Sequence, residues 1–161
     1  MRIIFILKSI LTHRYLALIF RLYIGGIFIY ASMYKISHSA EFAETIASYQ
    51  LVPYWAVNTM AAVLPWIELV SGILLASGIR VKSAAGIIGF LLFLFTIAIA
   101  ISLIKEMPIN CGCFHSMDDT ISWWTLIRDI LWMTMTAHIF FFDKAFQLEK
   151  NFSFNIREIQ E

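Results

Sequence analysis

Long apolar runs, separated by short polar stretches, divide this chain into four similar segments. They cover about residues 15–33, 57–77, 84–103 and 123–142. A helix of roughly 20 residues, rising about 1.5 Å per residue, crosses a hydrocarbon core of about 30 Å. The pattern therefore predicts an all-α polytopic membrane protein, a bundle of four transmembrane helices spanning residues 15–142.

The polar stretches predict the remaining segments. Residues 1–14 are apolar but broken by Lys8, which favours a segment lying at the membrane interface. In the first loop, Phe42, Ile46 and Tyr49 recur at helical spacing and predict a short amphipathic helix. Residues 104–122 form a second loop between the third and fourth spans, and residues 143–161 form a polar tail.

Composition supports the membrane assignment. The 161 residues are 60% hydrophobic, 16% aromatic and only 14% charged, whereas soluble domains carry about 25% charged residues. The basic residues are few and scattered, so a nucleic-acid partner is not expected. The expected partner of most of this surface is the lipid bilayer.

The distribution of basic residues predicts the orientation. Lys35 and Lys105 lie in the loops on one side, whereas eight basic residues lie on the side of the termini. These eight are Arg2, Lys8, Arg14, Arg80, Lys82, Lys144, Lys150 and Arg157. By the positive-inside rule both termini are cytoplasmic. The 104–122 loop would then face the periplasm of a bacterium, with the bundle in the inner membrane.

The 104–122 loop holds the two cysteines of the chain, Cys111 and Cys113, with Gly112 between them. Next-nearest cysteines can reach the Cα separation of about 4.4–6.8 Å that a disulfide needs, and glycine permits the tight backbone. Such a strained bridge is easily reduced, and labile bridges tend to be catalytic or regulatory. Because it closes almost no loop, it adds little stability. The periplasm allows disulfides to form and persist.

Two other interpretations of the cysteines remain open. The bridge can simply shape a loop of a non-catalytic scaffold subunit. Alternatively, His115 can join both thiolates in a soft metal site for copper(I) or zinc, although three ligands leave that site incomplete.

Charged residues inside the spans normally pair or serve a function, because inserting one costs at least about 2.5–3.5 kcal/mol. Arg21 and Glu68 lie at similar predicted depths, so we expect a buried pair that acts either as a strut or in proton or quinone handling. Arg128 lies closer to the cysteine loop, where a cation would stabilise a thiolate. Alternatively, Arg128 pairs with Asp129 or extends to the interface.

Several motifs occur in an order typical of a known family. They are, along the chain, Arg21 with Gly26, Lys35, Pro65-Trp66-Ile67-Glu68, Asn110-Cys111-Gly112-Cys113-Phe114, and Ser122-Trp123 with Arg128. Over about residues 14–142 the chain resembles the DoxX-like membrane proteins, specifically their MauE branch. One position departs from the family pattern, since His115 follows Phe114 where the family usually has glycine.

The resemblance implies a four-helix membrane bundle with a role in redox maturation. MauE is needed to mature methylamine dehydrogenase, a disulfide-rich periplasmic enzyme, and works alongside a thioredoxin-like partner; DoxX relatives are tied to quinone redox systems. The resulting hypothesis is an inner-membrane thiol–disulfide redox protein that exchanges electrons with a periplasmic thioredoxin-fold partner. Its candidate catalytic residues are Cys111, Cys113, Arg128 and His115, and its candidate quinone-binding residues are Glu68, Arg21 and Trp66.

Overall fold

The computed structural model describes residues 14–104 and 123–142, and every element in these two ranges is an α-helix. In chain order the helices are α1 (Arg14–Ser37), α2 (Ser39–Ser48), α3 (Tyr54–Ser77), α4 (Val81–Ile104) and α5 (Trp123–Phe142). The predicted all-α fold class is confirmed for this part of the chain.

Three of the helices are long and apolar enough to cross a membrane: Leu16–Ser37, Tyr54–Ser77 and Val81–Ile104. They correspond to the first three predicted spans. Helix α5 covers the residues of the fourth predicted span, but Arg128, Asp129 and His138 make it more polar. That α5 also crosses the membrane stays a prediction.

The first three helices are longer than their predicted spans. Helix α1 continues one turn past Met33 to Ser37, and α3 and α4 each begin three residues before the predicted start. The prediction ended the first span at about Met33 and assigned Lys35 to the loop that follows. In the structure Lys35 is buried within the helix, because an acidic partner compensates its charge.

The four long helices pack in a ring around one core. Helix α1 contacts α3 and α5, and α4 contacts the same two helices. Where they meet, the core consists of Ile24, Phe28, Leu75, Val81, Ala84, Ala85, Ile88, Leu92, Trp132 and Ile139. Outward-facing positions are also apolar; Phe90 is 61% exposed, for example. Such a surface suits lipid better than water.

Helices α1 and α3 approach most closely at two glycines. A Cβ added to Gly25 would lie 3.0 Å from both the Cβ of Ala76 and the carbonyl oxygen of Gly72. A Cβ on Gly72 would lie 3.1 Å from the carbonyl oxygen of Gly25. Small residues permit this backbone approach, which replaces the hydrophobic driving force that helices lack in lipid. The glycines therefore set the register between α1 and α3.

The predicted amphipathic helix in the first loop is confirmed as α2. Its Phe42 and Ile46 are buried against Val57 and Ala61 near the start of α3. Helix α2 therefore covers the part of α3 that extends beyond the end of α1.

The glycine contact predicts a contrast between neighbouring positions of α1. Gly25→Ala should destabilise the protein by about 1–3 kcal/mol, the usual cost of overpacking, because the new methyl group meets backbone atoms. Gly26→Ala is the matched control: its Cβ would have no neighbour within 4 Å, and alanine is the better helix former. Thermal unfolding in detergent, followed by circular dichroism, measures both. Equal midpoints for the two variants would contradict the assigned contact.

Candidate functional site

A buried ion pair joins α1 to α3. The Nζ atom of Lys35 donates to both carboxylate oxygens of Glu68, at 2.8 Å each. The side chains are only 4% and 2% exposed. Desolvating two charges is costly, and good geometry with further contacts is needed to offset the cost.

Further contacts to the Lys35 ammonium come from two other helices. The ring of Phe42 in α2 has its centroid 5.0 Å from Nζ, and the ring of Phe95 in α4 has its centroid 4.8 Å from it. Aromatic faces attract cations most strongly where water is excluded. Lys35 therefore links its own helix to α2, α3 and α4.

The fifth helix closes the site with a second carboxylate. A small cavity of about 30 Å³ is lined by Lys35, Glu68 and Phe95 together with Asp129 and Trp132 of α5. A water molecule needs roughly 10–15 Å³ of such space and two or more polar partners. The cavity is therefore large enough for a water molecule beside the charged groups, although most of its lining is apolar.

Arg128 supplies the other cation near this cluster. Its Nη2 lies 3.4 Å from Oδ1 of Asp129, and its guanidinium carbon lies 4.7 Å from the centre of the Trp132 ring. Arg128 is 28% exposed whereas Asp129 is 4% exposed. The alternative prediction from the sequence, that Arg128 pairs with Asp129, is thus confirmed. Whether Arg128 also acts on a thiolate stays a prediction.

The antiparallel register explains why Lys35 and Glu68 meet. Counting from the Gly25–Gly72 contact, Lys35 lies about 15 Å along α1 and Glu68 about 6 Å along α3 in the same direction. Side chains tilt toward the N-terminus of their own helix, so on antiparallel helices these two side chains point toward each other. The length of the lysine side chain spans the remaining distance.

The same register corrects the expected pairing of Arg21 with Glu68. Arg21 precedes Gly25 by four residues, so it lies on the other side of the glycine contact, about 12 Å from Glu68 along the helix axis. Its side chain tilts further away from Glu68. Arg21 is buried, with 3% exposure, but the cation on Glu68 is Lys35. The prediction was wrong because it measured both depths from helix ends taken as level, whereas α3 extends about 9 Å beyond the end of α1.

Of the remaining predicted site residues, Trp66 lies in the described part of the chain and does not join this cluster. Trp66 is 57% exposed on the outside of α3 and lines neither the small cavity nor the apolar pocket described below. Cys111, Cys113 and His115 lie outside the described residues, so their predicted roles stay predictions.

The cluster lies near the end of the bundle from which the cysteine loop extends. That loop connects Ile104, the last residue of α4, to Trp123, the first residue of α5. Asp129 is six residues from the start of α5, or about 9 Å, and Phe95 is nine residues from the end of α4, or about 14 Å. The buried charges therefore lie within about 9–14 Å of the ends of α4 and α5 that this segment joins.

Sequence reasoning missed Lys35 and gave Asp129 only a secondary role. Asp129 carried a usable signal, since any acidic residue within an apolar span is a candidate functional group. Lys35 had a weaker signal, because it sits at the end of an apolar run. Only the hydrophobic residues around it, Met33 and Ile36, indicated that the helix continues.

The ion pair predicts unequal costs for single and double substitutions. Lys35→Met or Glu68→Gln should each cost about 3–5 kcal/mol of stability, because each leaves an uncompensated buried charge. The double variant should cost much less than the sum of the two. Chemical unfolding in detergent measures the three values, with exposed Lys82→Met as the control that should change little. Strictly additive costs would argue against direct pairing.

Comparison with known proteins identifies a family. Residues 13–142 match the family model described as methylamine utilisation protein MauE. The chain is similar to the methylamine utilization protein MauE of Methylorubrum extorquens, with 34% identity over 95 residues, or 58% of this chain and 51% of that protein. It is also similar to the protein of that name from Paracoccus denitrificans, with 27% identity over 69% of this chain and 61% of that protein.

The matched part of the chain thus spans about half to three fifths of these relatives. No solved structure matches the chain. The family match, however, covers all five described helices, and it includes the segment 105–122 that holds the two cysteines. The chain belongs to the MauE family.

Proposed function

We propose that this protein is an inner-membrane thiol–disulfide redox component of methylamine utilisation that helps to mature a periplasmic enzyme, such as methylamine dehydrogenase. Cys111 and Cys113 would cycle between dithiol and disulfide through a mixed disulfide with a periplasmic thioredoxin-fold partner. The observation that carries the proposal is the Cys-Gly-Cys sequence in the segment that joins α4 to α5, the two helices that contribute Phe95 and Asp129 to the buried charge cluster.

The proposed exchange consists of two successive thiolate attacks. A thiolate of the Cys111–Cys113 pair attacks the partner's disulfide, forming a mixed disulfide and releasing one partner thiolate. The second cysteine then attacks the mixed disulfide, which leaves a Cys111–Cys113 bridge and a dithiol on the partner. The reverse sequence oxidises the partner. Either direction transfers two electrons.

The charged residues near the loop fit this chemistry. A cation near a thiol stabilises the reactive thiolate, and Arg128 lies about 8 Å from the start of α5, where the loop ends. Its contacts with Asp129 and Trp132 would hold it at this depth. His115 would move protons beside the thiols, since histidine exchanges protons near neutral pH.

The proposed topology has four spans, with both termini in the cytoplasm and the cysteine loop in the periplasm. The burial of Lys35 supports it. With Lys35 removed from the outer loops, Lys105 alone remains opposite the eight basic residues of the terminal side. The excess of basic residues on the terminal side, which sets the orientation, is then larger than the count from the sequence alone.

Labelling tests this topology. A membrane-impermeant maleimide should modify reduced Cys111 and Cys113 in intact spheroplasts, because the loop faces the periplasm. In a variant without those two cysteines, Lys82→Cys places a thiol at the opposite end of the bundle. It should react only after the membrane is permeabilised. Labelling of Lys82→Cys in intact spheroplasts, with protection of the native pair, would reverse the orientation.

A redox titration tests the function itself. In glutathione buffers the Cys111–Cys113 pair of the purified protein should show a midpoint well above about −300 mV, below which structural bridges usually lie. Thiol labelling and mass spectrometry measure it, with Cys111→Ser and Cys113→Ser as controls that cannot form the bridge. A pair that stays oxidised at much lower potentials would favour the scaffold interpretation.

Elemental analysis distinguishes the metal-site alternative from the redox proposal. One equivalent of copper or zinc that is lost in His115→Ala, with thiols that resist oxidation, would contradict the redox proposal. In the proposed redox protein, His115→Ala leaves the bridge able to form.

A further inference from the structure

Three ionisable side chains from three different helices line the small cavity of the charge cluster. They are Lys35 of α1, Glu68 of α3 and Asp129 of α5, and their exposures are 4%, 1% and 3%. One of these groups is basic and two are acidic, so with all three ionised the lining carries an uncompensated negative charge. Burying an ionised carboxylate without compensation is costly, and a carboxyl group in such a place becomes neutral by taking up a proton.

The ammonium of Lys35 compensates Glu68 rather than Asp129. Its Nζ atom donates to both carboxylate oxygens of Glu68 at 2.8 Å. A lysine ammonium has three N–H groups in all, so one donor is left for the rest of the cavity. The negative charge that lacks a close cation within the cavity is therefore that of Asp129.

Arg128 compensates Asp129 from outside the cavity, and only in part. It is not among the residues that line the cavity. Its Nη2 lies 3.4 Å from Oδ1 of Asp129, whereas charge-assisted N–H···O bonds are usually about 2.7–2.9 Å long. The Arg128 side chain is 28% exposed, and water weakens the interaction of an exposed charge with its partner. The guanidinium therefore lowers the cost of an ionised Asp129 without removing it.

The other neighbours of the cluster bring no charge. A larger, apolar pocket of about 290 Å³ lies between α2, α3 and α4, with Phe42, Leu64 and Leu94 in its walls. Phe95 lines both this apolar pocket and the small cavity. None of the residues that line the apolar pocket is acidic or basic, so the cluster has a hydrocarbon-like boundary on this side.

The ionisable groups around Asp129 can thus be named helix by helix for the described part of the chain. Helix α1 contributes Lys35, α3 contributes Glu68, and α5 itself contributes Arg128. Helix α4 contributes only apolar side chains to the cavity, among them Phe95. No second cation from these helices lines the cavity beside Asp129.

We propose that Asp129 is a proton-binding site. A proton from water forms an O–H bond with one carboxylate oxygen of Asp129, and the charges of the three groups that line the cavity then sum to zero. The cavity has room for a water molecule that would deliver the proton and take it back. The inference goes beyond the proposed thiol chemistry and does not depend on it.

The position of Asp129 favours exchange with one side of the membrane. It lies about 9 Å from the start of α5 at Trp123 and about 20 Å from the end of the helix at Phe142. The partly exposed Arg128 is on the same short side. Protons would therefore enter from the end of the bundle where α5 begins.

Infrared spectroscopy detects the proton directly, because a carboxylic acid absorbs at a higher frequency than a carboxylate. We expect protein purified in a detergent without ester groups to show an acid band at neutral pH that is absent in Asp129→Asn. Asparagine keeps the size of the side chain and its neutral state. Glu44→Gln is the matched control: Glu44 is exposed on α2, so this variant should keep the band unchanged.

Isotope labelling keeps the test decisive if circular dichroism shows that Asp129→Asn unfolds. The other aspartates of the chain are Asp118, Asp119 and Asp143. With these three replaced by asparagine, aspartate labelled with ¹³C at its side-chain carboxyl group should shift the acid band, because Asp129 is then the one aspartate left.

The outcomes separate this site from the thiol chemistry. A variant without Cys111 and Cys113 should retain the acid band, because neither cysteine contributes to it. An acid band that is equal in Asp129→Asn and the native protein would overturn the inference, as would one that the label does not shift. Asp129 would then be an ionised partner of Arg128, and the proposed thiol redox function would be unaffected.

Discussion

The constraint on which the described structure depends is the burial of the Lys35 charge. An ammonium group that is nearly inaccessible to water needs compensation from every side, and here it comes from Glu68, Phe42 and Phe95. Those three residues belong to three different helices, and Asp129 of a fourth lines the same cavity. A small shift of any one helix would leave the charge incompletely compensated. Replacing such a pair with apolar residues is often neutral for stability, so its value lies more in specifying one arrangement of helices.

The glycine contact and the ion pair act together. Gly25 and Gly72 let the backbones of α1 and α3 meet, and from that point the lysine side chain spans just the distance that remains to Glu68. Packing between lipid-embedded helices is only weakly directional. A close contact at one level and an ion pair at another exclude a shift by one helical turn, because such a shift would lose both.

The sequence was sufficient to predict what depends on local pattern. Apolar runs identified the long helices, and the spacing of Phe42 and Ile46 identified α2. It was insufficient for what depends on register. Arg21 and Lys35 are both basic residues in or beside the first apolar run, and no periodicity tells which of them reaches Glu68. That choice is made by the distance of each from the glycine contact, which is a property of two helices together.

The two cavities divide the chemistry of the bundle by polarity. Charge is confined to a space that is large enough for water but little more, while the larger space is apolar and holds none of the carboxylates. Phe95 belongs to both walls, so the ring that contacts the ammonium on one side faces the apolar pocket on the other. A change of charge within the cluster would alter the force on this ring, because a cation–π contact depends on the cation beside it. The aromatic layer is therefore the place where the charge cluster and an occupant of the pocket would influence each other.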